Sequence, residues 1–400
     1  MDRRKTQQNR EEKIRFSRRT DWELSANRLT SLWEDLRRGG QVYDLTESNP
    51  TRCGFAYPSD RILPALSSPD NLSYLPHPQG LAAAREEVCR YYRRFRLPVD
   101  PSQVFLTSST SEAYSFLFRL LADPDDRVLF PRPSYPLFQF LVDLSDIVMD
   151  FYSLAYAGGW TVDFESLASE IRDRTRAIAL VNPNNPTGSY VSPDERGRLN
   201  RICREKGLAL ISDEVFLDYS WKDPNPGRFS LAGQQEALTF VLGGVSKALA
   251  LPQMKLSWIV VSGPAEETRE AARRLEVIAD TYLSVNTPVQ NALPAWSACQ
   301  EEIQTQARAR VRQNREFVEQ HLPPGTECLS AQAGWYAVLR LSPDISEEEL
   351  ALNLLEKHRV YVHPGYFFDF EDGAHLVISL LPEPQIFQEG FRRLGLQLAA

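Results

Sequence analysis

The chain has 400 residues, long enough for two domains and a large buried core. Its 42% hydrophobic and 24% charged residues are those of an ordinary soluble globular protein, and a net charge of −8 argues against nucleic acid or an anionic membrane as main partner. Cys53, Cys89, Cys203, Cys299 and Cys328 fall in no paired spacing and the five histidines in no ligand spacing, which argues against disulfides and metal and for a reducing compartment.

Residues 1–20 mix basic and acidic side chains with almost nothing apolar, so a disordered tail is expected, with Arg3, Arg4, Arg18 and Arg19 in water. No later apolar run is long enough to span a bilayer, and the expected location is the cytoplasm. From 21 to 38 the spacing of Trp22, Leu29, Leu32, Trp33 and Leu36 predicts short helical pieces. A short strand over 42–45 then enters a loop holding Asn49, Pro50, Arg52 and Gly54.

The loop YLPHPQG, 74–80, runs into a helix over 81–95. A strand ending at Leu106 leads to a hydroxyl-rich loop, 107–111, and a helix through Leu121. Backbone amides at such a helix start, joined by Ser and Thr hydroxyls, bind phosphate; the same hydroxyls also serve as an ordinary helix cap. A strand over 127–130 ends where Tyr135 stands between two prolines, and 163–171 reads as helix.

The continuous apolar run 177–181 has the character of a parallel strand covered on both faces, and it ends in Asn182, Asn184, Asn185 and Gly188. Ser192-Pro193-Asp194-Glu195 is a capping box opening a helix that stops at Gly207. A strand over 208–212 delivers Asp213, an acid whose burial without a partner would be costly. The next strand, 238–242, breaks at Gly243 and Gly244 and places Lys247 just past its end, where open α/β sheets carry their chemistry. Partial desolvation there favours the neutral amine and suits a Schiff base.

A strand over 258–261 and a helix over 268–278 follow; residues 281–293 read as a loop into a long polar helix ending near 319. The pattern then changes: a strand at 334–339, a helix at 346–358, and strands at 360–362 and 376–380 make a smaller α+β unit. The fold class expected is α/β, a large domain with a mostly parallel sheet covered by helices plus that smaller domain, divided as 1–20 tail, 21–59 arm and part of the small domain, 60–290 large and 291–400 small.

Lysine, aspartate, asparagine and a hydroxyl-rich helix start together supply what pyridoxal phosphate requires: an amine for the aldehyde, an anion for the ring nitrogen, a donor for the ring oxygen and a cradle for phosphate. With NPNNPTG (182–188), SDEVF (212–216), SK (246–247), TSSTSEAY, PSYP and YLPHPQG in this order, the chain resembles the fold-type I pyridoxal-phosphate enzymes of aminotransferase class I/II over about residues 21–400. The resemblance implies a seven-stranded type of sheet and pyridoxal 5'-phosphate held as a Schiff base on Lys247, which then serves as proton-transfer base. It implies that Asp213 faces the ring nitrogen, Asn185 the ring oxygen and Tyr135 the ring face. Ser109, Thr110, Ser111 and Ser246 would hold the phosphate. Tyr74 would enter the site of a second subunit, implying a homodimer acting on an amino acid and a 2-oxo acid.

Three positions depart from the family pattern. Lys255 stands for an arginine near the phosphate, which loses the fork geometry, and Phe216 for a tyrosine beside the ring oxygen. Val377 stands for the arginine that clamps the substrate carboxylate. Arg52, with Asn49 on the same loop, is the expected replacement; otherwise the substrate lacks that carboxylate or binds it through backbone groups. The absence of arginine in 280–288 disfavours aspartate or glutamate as preferred donor. The expected activity is transamination, with a lyase, racemase or biosynthetic oxidase or cyclase as the alternative. A transcription regulator on this fold would need a DNA-binding domain that twenty polar residues do not supply.

Overall fold

Runs of apolar residues with almost no exposed member form the centre of the molecule, and the computed structural model, which describes residues 14–223, 225–283 and 285–399, orders them into one eight-stranded sheet. In chain order the strands are β1 (Tyr43–Asp44), β2 (Val104–Thr107), β3 (Arg127–Arg132), β4 (Val148–Tyr156), β5 (Trp160–Val162), β6 (Thr175–Val181), β7 (Ala209–Asp213), β8 (Thr239–Gly244) and β9 (Ser257–Ser262). The last five are β10 (Glu327–Cys328), β11 (Tyr336–Leu341), β12 (Val360–Tyr361), β13 (His363–Pro364) and β14 (Ala374–Ser379).

The large sheet runs β2-β9-β8-β7-β6-β3-β4-β5. Neighbours from β8 to β4 are parallel, whereas β9 is antiparallel to both of its neighbours and β5 is antiparallel to β4. Seven strands make the expected sheet, and the three-residue β5 adds a short edge. Successive residues alternate between two apolar cores, one on each face. Ile178, Leu180, Leu210 and Val241 enter one; Ala177, Ala179, Ile211 and Phe240 enter the other. That double burial explains why these strands read as unbroken apolar runs.

The smaller unit holds the antiparallel sheet β10-β11-β14-β13 and the separate parallel pair of β1 with β12, around a core of its own. The N-terminal segment thus belongs here in space: Tyr43 pairs with Val360, and Leu45 O accepts the Ser379 N–H at 2.6 Å.

Several expectations are corrected. β8 does not break at Gly243; it runs through both glycines, because a Cβ at 243 would lie 2.5 Å from the Trp258 indole nitrogen and one at 244 would lie 2.4 Å from Ser257 Oγ. The absence of side chains lets β9 lie close. Residues 281–319 are not loop plus one helix but two helices, Thr287–Ser297 capped by Asn286 and Gln300–Gln320. The ladder tightens between them, where Cys299 N–H bonds Trp296 O, a three-residue step. Of the expected tail, residues 1–13 lie outside the described residues. The rest is tied down: Ser17 caps the 3-10 turn Arg18–Thr20, Arg19 pairs with Asp146, and the Trp22 indole donates to Asp143 at 2.8 Å.

Candidate active site

The parallel register brings Val181 of β6, Asp213 of β7 and Leu242 of β8 side by side, so the loops leaving these strands meet at one edge of the sheet. After Gly244 the chain makes a single helical turn, Val245–Ala248, that carries Lys247. Its backbone carbonyl accepts the Tyr219 hydroxyl at 2.8 Å, and its Nζ lies 4.8 Å from the Trp335 ring and 5.4 Å from the Phe216 ring. Burial among these rings lowers the Lys247 amine to about 8, with the negative charge of Asp213 partly opposing. Asp213 is raised to about 6 by its own burial, opposed by the Val215 amide and the charge of Lys247. Each group is thus shifted toward its neutral form.

The asparagines divide their work. Asn182 is structural, its amide donating to Phe229 O at 2.7 Å and its oxygen accepting Val191 N–H at 3.0 Å. Asn184 holds Thr187 and reaches Pro133 O. Asn185 does neither: its Oδ1 is buried without a partner, and its amide makes no side-chain hydrogen bond among the described residues. An amide left so in a cavity wall is uncompensated and free to pair with a bound group.

At the start of the helix Thr110–Leu121, Ser109 is the cap, its Oγ accepting the Glu112 amide at 3.1 Å, while Glu112 returns to the Ser108 amide at 2.7 Å. Both readings of the hydroxyl-rich loop therefore have their residues. Ser109 does the capping, while Thr110 and Ser111 hydroxyls line the cavity with no side-chain hydrogen bond among the described residues.

One cavity of about 320 Å³ gathers Lys247, Asp213, Asn185, Tyr135, Phe216, Ser246 and Lys255 with Ser109, Thr110 and Ser111. That volume is within the ordinary range for a small-molecule or cofactor site. Tyr135 is 41% exposed at the mouth and packs edge-on against Phe138. Lys255 sits in the left-handed region at φ +52°.

Three expected residues are not brought there. Arg52 is exposed on the short turn Pro50–Arg52 and faces Glu47 at 3.8 Å, which disagrees with its expected place at the substrate; the turn that follows Asn49 directs it outward. Asn49 spends its side chain capping that turn through Thr51. Tyr74 is exposed away from this chain's cavity. Val377 is fully buried in an apolar cluster with Leu329, Val338 and Phe368. Sequence reasoning missed Ser48 and Tyr336, which line the cavity from the smaller unit's side. Alternation along β11 could have marked Tyr336, since it lies on the face opposite Ala337, but nothing local tied it to Lys247.

Comparison with known proteins places this geometry. The profile of the family "Aminotransferase class I and II" matches residues 42–386. The alanine aminotransferase of Mycobacterium tuberculosis (strain ATCC 25618 / H37Rv) is 29% identical over 378 residues, covering 89% of this chain and 85% of its own. The glutamate-pyruvate aminotransferase AlaA of Escherichia coli (strain K12) is 25% identical over 354 residues, covering 86% of this chain and 87% of its own. The solved structure of an alanine aminotransferase from Pyrococcus furiosus superposes with a TM-score of 0.86 at 25% identity, covering 96% of this chain and 100% of its own.

Proposed function

The chain belongs to the aminotransferase class I and II family, and from that membership we propose that it transfers an amino group between an amino acid and a 2-oxo acid in the cavity around Lys247, with pyridoxal 5'-phosphate bound there. The observation that carries this reading is the pairing of a buried amine lowered to about 8 with a buried carboxylate in one cavity. The residues fit the cofactor. The Asn185 amide has no partner, two hydroxyls at a helix N-terminus are uncommitted, and Lys255 adds a cation on the same side.

In this reading Lys247 would hold the aldehyde, Asp213 the ring nitrogen, Asn185 the ring oxygen, and Tyr135 and Phe216 the ring. Ser109, Thr110, Ser111, Ser246 and Lys255 would hold the phosphate. The cofactor, once bound, supplies an electron sink for charge at the substrate Cα. Lys247 Nζ, released by substrate, takes the Cα proton, for which a group titrating near 8 is well matched. Asp213, ionised above about 6, keeps a proton on the atom it faces. Trp335 and Phe216 exclude water from the amine.

Lys247 and Lys255 are the cations lining the cavity, so the Ser48 and Tyr336 hydroxyls are the groups left to receive the far end of the substrate. Curated relatives named for alanine or glutamate-pyruvate transfer favour transamination over lyase, racemase, oxidase or cyclase chemistry, and a small donor such as alanine is the first to test. The proposed state is a cytoplasmic homodimer in which Tyr74 reaches the second site. Among the described residues no helix is long and apolar enough to cross a membrane.

The test is absorbance spectroscopy of protein supplied with pyridoxal phosphate, then alanine, then 2-oxo acids. The bound-cofactor band should shift with donor and return with acceptor, and borohydride should fix the label on Lys247. A protein that stays colourless, or a label elsewhere, overturns the reading.

A further inference from the structure

Behind the Lys247 turn lies a second, smaller cavity of about 90 Å³, bounded by Tyr219, Trp221, Gly334 and three arginines, Arg308, Arg312 and Arg315. The arginines stand at i, i+4 and i+7 of the helix Gln300–Gln320 and so share one face. Arg308 is engaged, with Nη1 donating to Gln304 at 3.0 Å and Nη2 to Glu301. Arg315 lies 4.9 Å over the Trp221 ring; its Nε is out of water with no hydrogen-bond partner, and Glu319 stands 3.5 Å away. Arg312 makes no ion pair or side-chain hydrogen bond among the described residues. The neutral donors in the walls are already committed, the Trp221 indole to Gly334 O at 2.9 Å and the Tyr219 hydroxyl to Lys247 O at 2.8 Å. What remains open to the cavity is guanidinium N–H, in a chain whose overall charge is −8.

We propose that this cavity binds a small oxyanion of the size of inorganic phosphate, held by Arg308, Arg312 and Arg315, and that its occupancy steadies the seat of Lys247. The volume is about three waters at roughly 30 Å³ each, room for one tetrahedral anion and too little for a nucleotide. Guanidinium forks suit such oxygens, and converging cations gain most from an anion they can share. The link to the reactive turn is short. Tyr219 bounds the anion cavity, donates to the Lys247 carbonyl and packs edge-on against Trp335 at 4.8 Å; Gly334 N–H returns to Tyr219 O at 2.9 Å.

The experiment uses holoenzyme saturated with pyridoxal phosphate, so that the first phosphate cradle is filled. Inorganic phosphate is titrated by calorimetry against sodium chloride of equal ionic strength. One phosphate per chain is expected, with affinity reduced roughly tenfold or more in Arg312→Ala and in Arg315→Met. Phosphate should raise the transaminase kcat of the parent about twofold or more, and should leave that of Arg312→Ala, which matches the parent without phosphate, unchanged. Arg312 is exposed, so its variant keeps the test decisive even if Arg315→Met misfolds. No heat beyond the chloride control, or equal affinity in parent and Arg312→Ala, overturns the site; phosphate bound without a change in kcat overturns its link to Lys247.

Discussion

Lys247 owes its proposed reactivity to what it lacks: water. Burial lowers the amine to about 8 from the 10.5 of a free lysine, so the neutral, nucleophilic form grows as pH rises through 8. The rate at which apoprotein captures pyridoxal phosphate should therefore rise about tenfold from pH 7 to 9, by stopped-flow absorbance; a flat profile would mean the amine is not desolvated. The linkage to stability has the same origin. Between about 8 and 10.5 the unfolded chain binds the proton that folded Lys247 has released, so this group's contribution to apoprotein stability rises with pH there. Residues of this kind were legible because each ends an apolar strand: Asp213 after β7, Asn185 after β6, Lys247 after β8. Ser48 and Tyr336 were not, since they reach the cavity from the other unit. Arg52 misled because nearness along a loop says nothing of which way the turn points, and here it points to Glu47 in solvent.

Glycines separate the rigid elements from the adaptable ones. At Gly188, φ is +67° and an added Cβ would lie 2.2 Å from Ala333 O, pinning the 182–189 turn against the smaller unit. Gly188→Ala should cost roughly 2–4 kcal/mol and loosen the Asn185 wall, seen as a lower melting temperature and weaker cofactor retention. Gly197 is the opposite case, a helical position with nothing within 4 Å of the added carbon. Gly197→Ala should raise stability by about 0.5–1 kcal/mol without touching activity, because helical glycine carries an entropy cost with no steric return. At this scale the alternation of strand and capped helix from 175 to 213 was plain in the sequence. β4 and β5 were not, because at the sheet edge their residues are only half buried and polar ones such as Asp150 and Ser153 interrupt the run. The helix Thr287–Ser297 was hidden by Pro288 and Pro294, of which the first sits in the free first turn.

The whole molecule carries an apolar strip that this chain leaves uncovered. Leu72, Tyr74 and Leu75 are 93%, 67% and 69% exposed in one short segment ahead of the helix Ala82–Arg93. A proposed second copy would cover it, so light scattering should give about twice 45.6 kDa, and Tyr74→Ser should lower kcat/KM in holoenzyme while the cofactor stays bound. A monomer of full activity would overturn the shared-site reading. The division into a large α/β part and a smaller α+β part was legible from the change of pattern after about 290. The partnership of β1 with β12 was not, because a two-residue strand pairs with one more than three hundred residues later and leaves no periodicity to read.

That pairing also orders biosynthesis. A ribosome releases Tyr43 early but Val360 and Ser379 only at the end, so the first strand waits without its partner while the large sheet, complete by Ser262, can already form behind it. Tyr336 joins Ser48 late as well, so a nascent chain has its lysine, aspartate and helix start in place before the lid of hydroxyls arrives. Vitamin B6 could in this way meet an open cradle during translation and be enclosed when the tail of the chain docks.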